Sequence, residues 1–221
     1  MGLGLWALVL LRASSDGRLA LLLRSVFHPL VSLAGLMLLA LALLQLVLGL
    51  RQGAPAERAS NSDWRTWIAT AVMAALLLAL PPNPSLSALA QQRPSDDTAD
   101  AELAFVLPPA QRSLSDWVRL LRSQNDPRLY VGEPVRISGF VLPRPDGPPM
   151  LARLLVRCCL ADATPVGLAV RWPAHQALPK ADQWLAINGL MAVQSGPQGE
   201  ELVVVPQRIT PIARPARPLE P

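Results

Sequence analysis

Residues 151–170 read LARLLVRCCLADATPVGLAV and hold both cysteines of the chain, side by side at Cys158 and Cys159, with Asp162 close behind. Apolar residues alternate on either side: Ala152, Leu154 and Val156 before, Val166, Leu168 and Val170 after. A period of two, rich in β-branched residues, predicts two strands joined through CCLADATP. Working outward, GEPVRISGFVL (132–142) sets Val135, Ile137 and Val141 against Arg136, Ser138 and Phe140, and Gly139 permits a bend or bulge. QWLAINGLMAVQ (183–194) repeats the pattern around a second mid-strand glycine, Gly189. ELVVV (201–205) and residues 208–212 add further strand, and PRPDGPP and SGPQGE supply turns. Five to six strands with glycine kinks, short loops and little helix predict a small closed or partly open barrel of OB type. One helix precedes it. Ser113 and Asp116 form a capping box, Trp117, Val118, Leu120 and Leu121 supply an apolar face, and Asn125-Asp126-Pro127 stops it. Helix and barrel together occupy residues 111–213, with 214–221 expected to be a disordered tail.

The N-terminal third has a different character. Residues 30–50 contain no charge, and at about 1.5 Å per residue they reach roughly 31 Å, enough to cross a hydrocarbon core. Pro29 marks the start, where a missing N–H does least harm. Residues 64–80 form a second, shorter apolar segment, with Trp64 and Trp67 at headgroup level and Pro81-Pro82 at its end. Residues 29–80 are therefore expected to form a helical hairpin in the membrane, joined by a polar loop at 52–63. Residues 1–28 begin with an apolar stretch of eleven, short of a full span. It lacks a positive leader, so a secretory signal is a poor reading of it, and it reads as a truncated first spanner or an interfacial helix. Residues 81–110 are rich in Pro, Ser, Asp and Gln and are expected to be a flexible tether. The fold class is thus α+β, with transmembrane helices tethered to a β-barrel.

Charge weighs against nucleic acid as a partner. The net charge is +4, but residues 1–80 carry six arginines against three acids, and the rest of the chain carries fourteen basic residues against thirteen acids. A nucleic-acid binder shows a basic stripe; the β half has none, so Trp172 and Trp184 are expected to pack in the core. No nucleophile elbow, zincin pair or phosphate loop is present, so no enzymatic activity is expected. Positive residues on the two sides of the hairpin nearly balance, and orientation does not follow from them.

The barrel strands carry a family resemblance. GEPVRISGFV, a strand ending in RCCLADATPVGL, and WLAINGLM resemble the YcgQ-like family of two-component membrane permease subunits. The motif positions are Gly139, Cys159, Ala161, Asp162, Trp184 and Gly189. The resemblance also covers the apolar N-terminal helices and a proline-ended helix followed by Leu-Ser (PPNPSLSALAQQR). It implies an integral protein of the inner (plasma) membrane, multi-pass, bound to a separate multi-spanning permease, with its C-terminal domain outside the cytoplasm. Many members carry a His- and Asp-rich stretch between apolar helices. Residues 52–63 here contain no histidine.

Cys158, Cys159 and Asp162 also invite a metal reading, since thiolates suit zinc and copper(I). Structural zinc takes four ligands, and the nearest histidine is His175 in a loop. The competing expectation is plainer: one cysteine turned inward as a small core residue, and Asp162 capping a turn. Adjacent cysteines close only a strained ring, so free thiols are expected. His28, before Pro29, is expected at a helix end. Two functions therefore stand beside each other, a permease subunit and a membrane-tethered thiol carrier of metal, with single-stranded nucleic-acid binding by the barrel the least favoured third.

Overall fold

The computed structural model describes residues 2–52, 61–80, 83–93, 107–123, 126–145, 147–174, 176–196 and 199–220. The polar loop at 53–60, Pro81 and Pro82, the middle of the tether at 94–106, Asn125 and His175 lie outside the described residues. The chain divides into two units, one up to Asn83 and one from Pro84 onward.

The first unit is helical: α1 (Gly2–Ser15), α2 (His28–Gln52) and α3 (Asn61–Ala79). Among the described residues one helix is long and apolar enough to cross a membrane, the continuous turn-plus-helix Ser25–Arg51 of 27 residues. At 1.5 Å per residue it reaches about 40 Å. His28 opens α2, as expected, and its Nε2 lies 3.2 Å from the Leu23 carbonyl oxygen. The apolar N-terminal stretch is a helix short of a full span. α1 has 14 residues, about 21 Å, and it ends where Gly17 takes a left-handed φ of 73° and the chain tightens into Arg18–Leu21.

The expected hairpin is also modified, because α1 is the main partner of α2 and also packs on α3. Gly35 is buried where Leu10 and Leu11 of α1 come closest, so a side chain there would press on Leu11. Ala74 is buried as well. Both small residues are thus used inside this unit. Arg18 donates to the Leu77 and Leu78 carbonyls at 2.7 and 3.0 Å, satisfying acceptors that the end of α3 leaves open.

The second unit contains α4 (Leu86–Gln91), α5 (Leu114–Ser123) and six strands: β1 (Pro134–Arg144), β2 (Gly147–Leu155), β3 (Thr164–Val170), β4 (Trp184–Gly196), β5 (Gly199–Pro211) and β6 (Leu219–Glu220). The sheet order is β1-β4-β5-β3-β2-β6, and β1 also pairs with β2. The ladder starting at β1 therefore returns to it. Of these pairings β3–β5 and β2–β6 are parallel. The capping box holds: the Ser113 N–H donates to Asp116 at 2.9 Å and the Asp116 N–H to the Ser113 hydroxyl at 3.2 Å.

Two apolar clusters flank the sheet. Val135, Ile137, Val141, Leu151, Val166, Leu168, Val170, Leu185, Ile187, Met191 and Val204 pack together with Leu114, Trp117 and Val118 of α5. Phe140, Leu142, Ala152, Leu154 and Trp184 form a second cluster, covered by Leu86 and Ala90 of α4. The two glycines mark close approaches. A Cβ at Gly139 would run into the Ala152 carbonyl oxygen, and one at Gly189 into that of Val205, where the β4–β5 register shifts.

Two expectations fail at the edges of this unit. The flexible tether at 81–110 is helical over Leu86–Gln91, because Ser85 caps the helix and Asp182 accepts from the Ser85 hydroxyl and the Ser87 N–H at 2.5 and 2.7 Å. Leu86 and Ala90 then cover an apolar sheet face. The disordered tail at 214–221 is ordered through Glu220. β6 pairs with Leu154 and Leu155 of β2, and the Val156 N–H donates to the Glu220 carbonyl at 2.9 Å. The buried guanidinium of Arg153 reaches the Glu220 carboxylate at 3.4 Å and the Pro218 carbonyl at 3.4 Å.

Candidate metal centre

β2 ends at Leu155 and β3 starts at Thr164, so the cysteine segment is the connection between two paired strands. A single tight turn at Leu160–Asp162 shapes it. Asp162 organises that turn from within. Its Oδ1 accepts the Arg157 N–H at 3.0 Å, and its Oδ2 accepts those of Cys158 at 2.8 Å and Cys159 at 3.4 Å. In return the Asp162 N–H donates to the Cys159 sulfur. The expectation that Asp162 caps a turn is met, as three successive N–H groups converge on one carboxylate.

The expectation of an inward-facing cysteine is not met. Cys158 is exposed and Cys159 half-buried, because the chain leaves the strand at Val156 before it reaches them. Both are free, with their sulfurs 3.5 Å apart. The two Sγ atoms and an Asp162 oxygen all lie within 4.8 Å of one another. Two sulfurs on one tetrahedral zinc sit roughly 3.8 Å apart, given Zn–S bonds of about 2.3 Å. The donor set is therefore near the spacing a cation needs, and small side-chain rotations close it.

A second element, which spacing gave no sign of, steadies the turn. Arg93, just past α4, donates through Nη1 to the Leu160 carbonyl at 2.9 Å and the Ala163 carbonyl at 2.7 Å. It stands 70 residues from Ala163 in sequence, and nothing in its local pattern marks it. The six family-motif positions separate into two groups. Cys159, Ala161 and Asp162 share the turn. Gly139, Trp184 and Gly189 lie in the sheet, where Gly139 faces Leu185 and Phe140 faces Trp184 across the β1–β4 ladder. Trp184 is in the core. Trp172 donates from Nε1 to the Pro149 carbonyl at 2.7 Å and lines a separate groove of ≈ 750 Å³ with Leu178, Lys180 and Ile209.

The electrostatics follow from these bonds. Hydrogen bonding to the Asp162 carboxylate, then to the Cys159 sulfur, pushes the Cys158 thiol up to about 12. Burial pushes Asp162 upward, but the bonds from the Cys158 thiol and from the Cys158, Arg157 and Cys159 N–H groups outweigh it and hold the carboxyl below its ordinary value. The signs are opposite. The Cys158 contact supports the turn at neutral pH and is lost as pH rises through about 12, whereas the Asp162 contacts are lost as pH falls through the depressed carboxyl value. In Asp162→Asn the thiolate absorbance of Cys158 is expected to titrate well below the wild-type value, because the charge that opposes ionisation is gone. An unchanged titration would show that Asp162 does not control the thiol.

Residues 112–219 match the family model described as the DUF1980 C-terminal domain. The match takes in the cysteine turn and β1 to β5, and it begins after Arg93. No curated protein and no solved structure matches the chain.

Proposed function

We propose that the protein is a non-enzymatic accessory subunit of a two-component permease of the YcgQ-like kind, multi-pass in the inner membrane. Its second unit is then an OB-type barrel carried outside the cytoplasm, where it binds ligand or gates the partner. The ladder order β1-β2-β3-β5-β4 returning to β1 supports the barrel. The observation that carries the membrane part is α2. Leu33, Leu36, Met37, Leu43, Leu44, Leu46 and Leu50 are all exposed on it, an apolar surface that water does not tolerate and that lipid or partner helices cover. Ala69 and Ala75 of α3 stay exposed as small residues against which another helix can pack closely. In detergent the protein is expected to co-purify with a multi-spanning permease. Recovery only as a solitary chain overturns this proposal.

A specific observation favours a second, compatible role as a membrane-tethered thiol carrier of metal: three donor atoms gathered within 4.8 Å on a solvent-accessible turn. The cation would be cargo. The subunit would then present an ion to the permease or receive one from it.

A further inference from the structure

We propose that the cysteine turn is a hand-over site for Zn²⁺, in which Cys158 Sγ, Cys159 Sγ and an Asp162 oxygen bind the ion and a donor from another molecule fills the fourth position. The inference rests on the carrier role above and names its cargo and its mode of transfer.

The number of donors decides the mode. A zinc site that only holds a fold together is closed, with four protein ligands, whereas sites that act on something keep a position open. Among the described residues no other histidine, cysteine or acid joins these three. Exposure agrees, since Cys158 faces solvent and Cys159 and Asp162 are half-buried. An incoming thiolate or imidazole can enter the open position and then displace the protein donors one at a time. No electron moves. Binding releases the thiol protons to solvent, and transfer to a partner takes them back.

The kinds of donor decide the ion. Copper(I) favours sulfur and gains little from a carboxylate, while zinc accepts sulfur and oxygen together. A site with a fixed carboxylate beside two sulfurs is thus matched to zinc. The carboxylate is fixed: three N–H groups hold it in place before any ion arrives. Arg93 is the positioning residue, since it holds the carbonyls of Leu160 and Ala163 on the two sides of Asp162.

The test uses the full chain in detergent under anaerobic, reducing conditions, with Co²⁺ as a spectroscopic stand-in, Zn²⁺ titrated against a chromophoric chelator, and Cu⁺ titrated separately. We expect one Zn²⁺ per chain and thiolate-to-cobalt charge-transfer bands. Added imidazole should shift the cobalt ligand-field bands, because it enters the open position. Asp162→Asn keeps one oxygen to accept the Cys158 and Cys159 N–H groups and gives up the Arg157 N–H, so most of the turn's bonds persist; it should shift the Zn²⁺-to-Cu⁺ preference about tenfold or more towards Cu⁺. Arg93→Ala should weaken Zn²⁺ binding in the same direction, with recovery in Arg93→Lys. Absence of any Zn²⁺, Co²⁺ or Cu⁺ binding overturns the carrier role itself. Ion binding that ignores both imidazole and Asp162→Asn, or Cu⁺ binding without Zn²⁺, overturns the hand-over inference and leaves a thiol carrier standing.

Discussion

Gly189→Val is expected to lower the stability of the β unit by about 3 kcal/mol or more, and to lower its melting temperature by roughly 10 °C. The cause is a collision with backbone. A Cβ there would run into the Val205 carbonyl oxygen and stand 3.0 Å from the Pro206 Cα. Neither atom can rotate away, because both belong to the β5 ladder that pairs with β4. The register shift between Asn188 and Gly189 already uses the glycine to bring the strands together. Gly132→Ala is the comparison. Gly132 sits at φ 84° with nothing within 4 Å of an added Cβ, so only backbone strain opposes it, about 1–2 kcal/mol. Near-UV circular dichroism of the full chain during heating separates the two. Equal, small effects would show that the β4–β5 approach is looser than described.

Gly189 is legible in the sequence because a glycine that interrupts a clean two-residue alternation marks a bulge or a close approach of two backbones. The strands on either side are legible from the same alternation, and so is the Ser113 cap. The burial of Phe140 is not. Alternation places it opposite Val141, on the face expected to meet solvent, yet it is fully buried. That face is covered by α4 and by the tail, segments whose composition suggests a tether and disorder. A short helix such as α4 gains its stability from the surface it covers, which no local pattern records. β2 does contain a hint: GPPMLARLL carries one charge in an otherwise apolar run, the signature of a strand buried on both faces around a paired ion. The candidate site divides in the same way. Asp162 as a turn cap follows from its spacing to the cysteines, but the exposure of Cys158 depends on where β2 stops, and Arg93 depends on α4 being present at all.

Deleting residues 214–221 is expected to destabilise the β unit by about 3 kcal/mol, a large effect for a segment whose composition suggests it does nothing. Arg153 is the reason. Its guanidinium is buried, donates to the Ser138 carbonyl and hydroxyl at 2.8 Å each, and lies 4.8 Å from the centre of the Trp184 ring. Burial lowers its pKa and the charge of Glu220 raises it again, so the acid is the partner that keeps the guanidinium charged at low cost. The tail supplies that acid, the Pro218 carbonyl and the β6 pairing with Leu154 and Leu155. Removing it leaves a buried charge with only neutral partners, and that outcome is worse than having no charge there. A double-mutant cycle tells the two apart. If the lost counter-charge dominates, Arg153→Met in the shortened chain should recover a large part of the stability, while Arg153→Met in the full chain leaves Glu220 with the Ser115 hydroxyl but no counter-charge and is destabilising. Amide hydrogen exchange along β2 reads the result strand by strand, with protection at Leu154 and Leu155 falling first. Additive effects of the two changes would mean that the tail acts by strand pairing alone, and that Arg153 and Glu220 are neighbours without being partners.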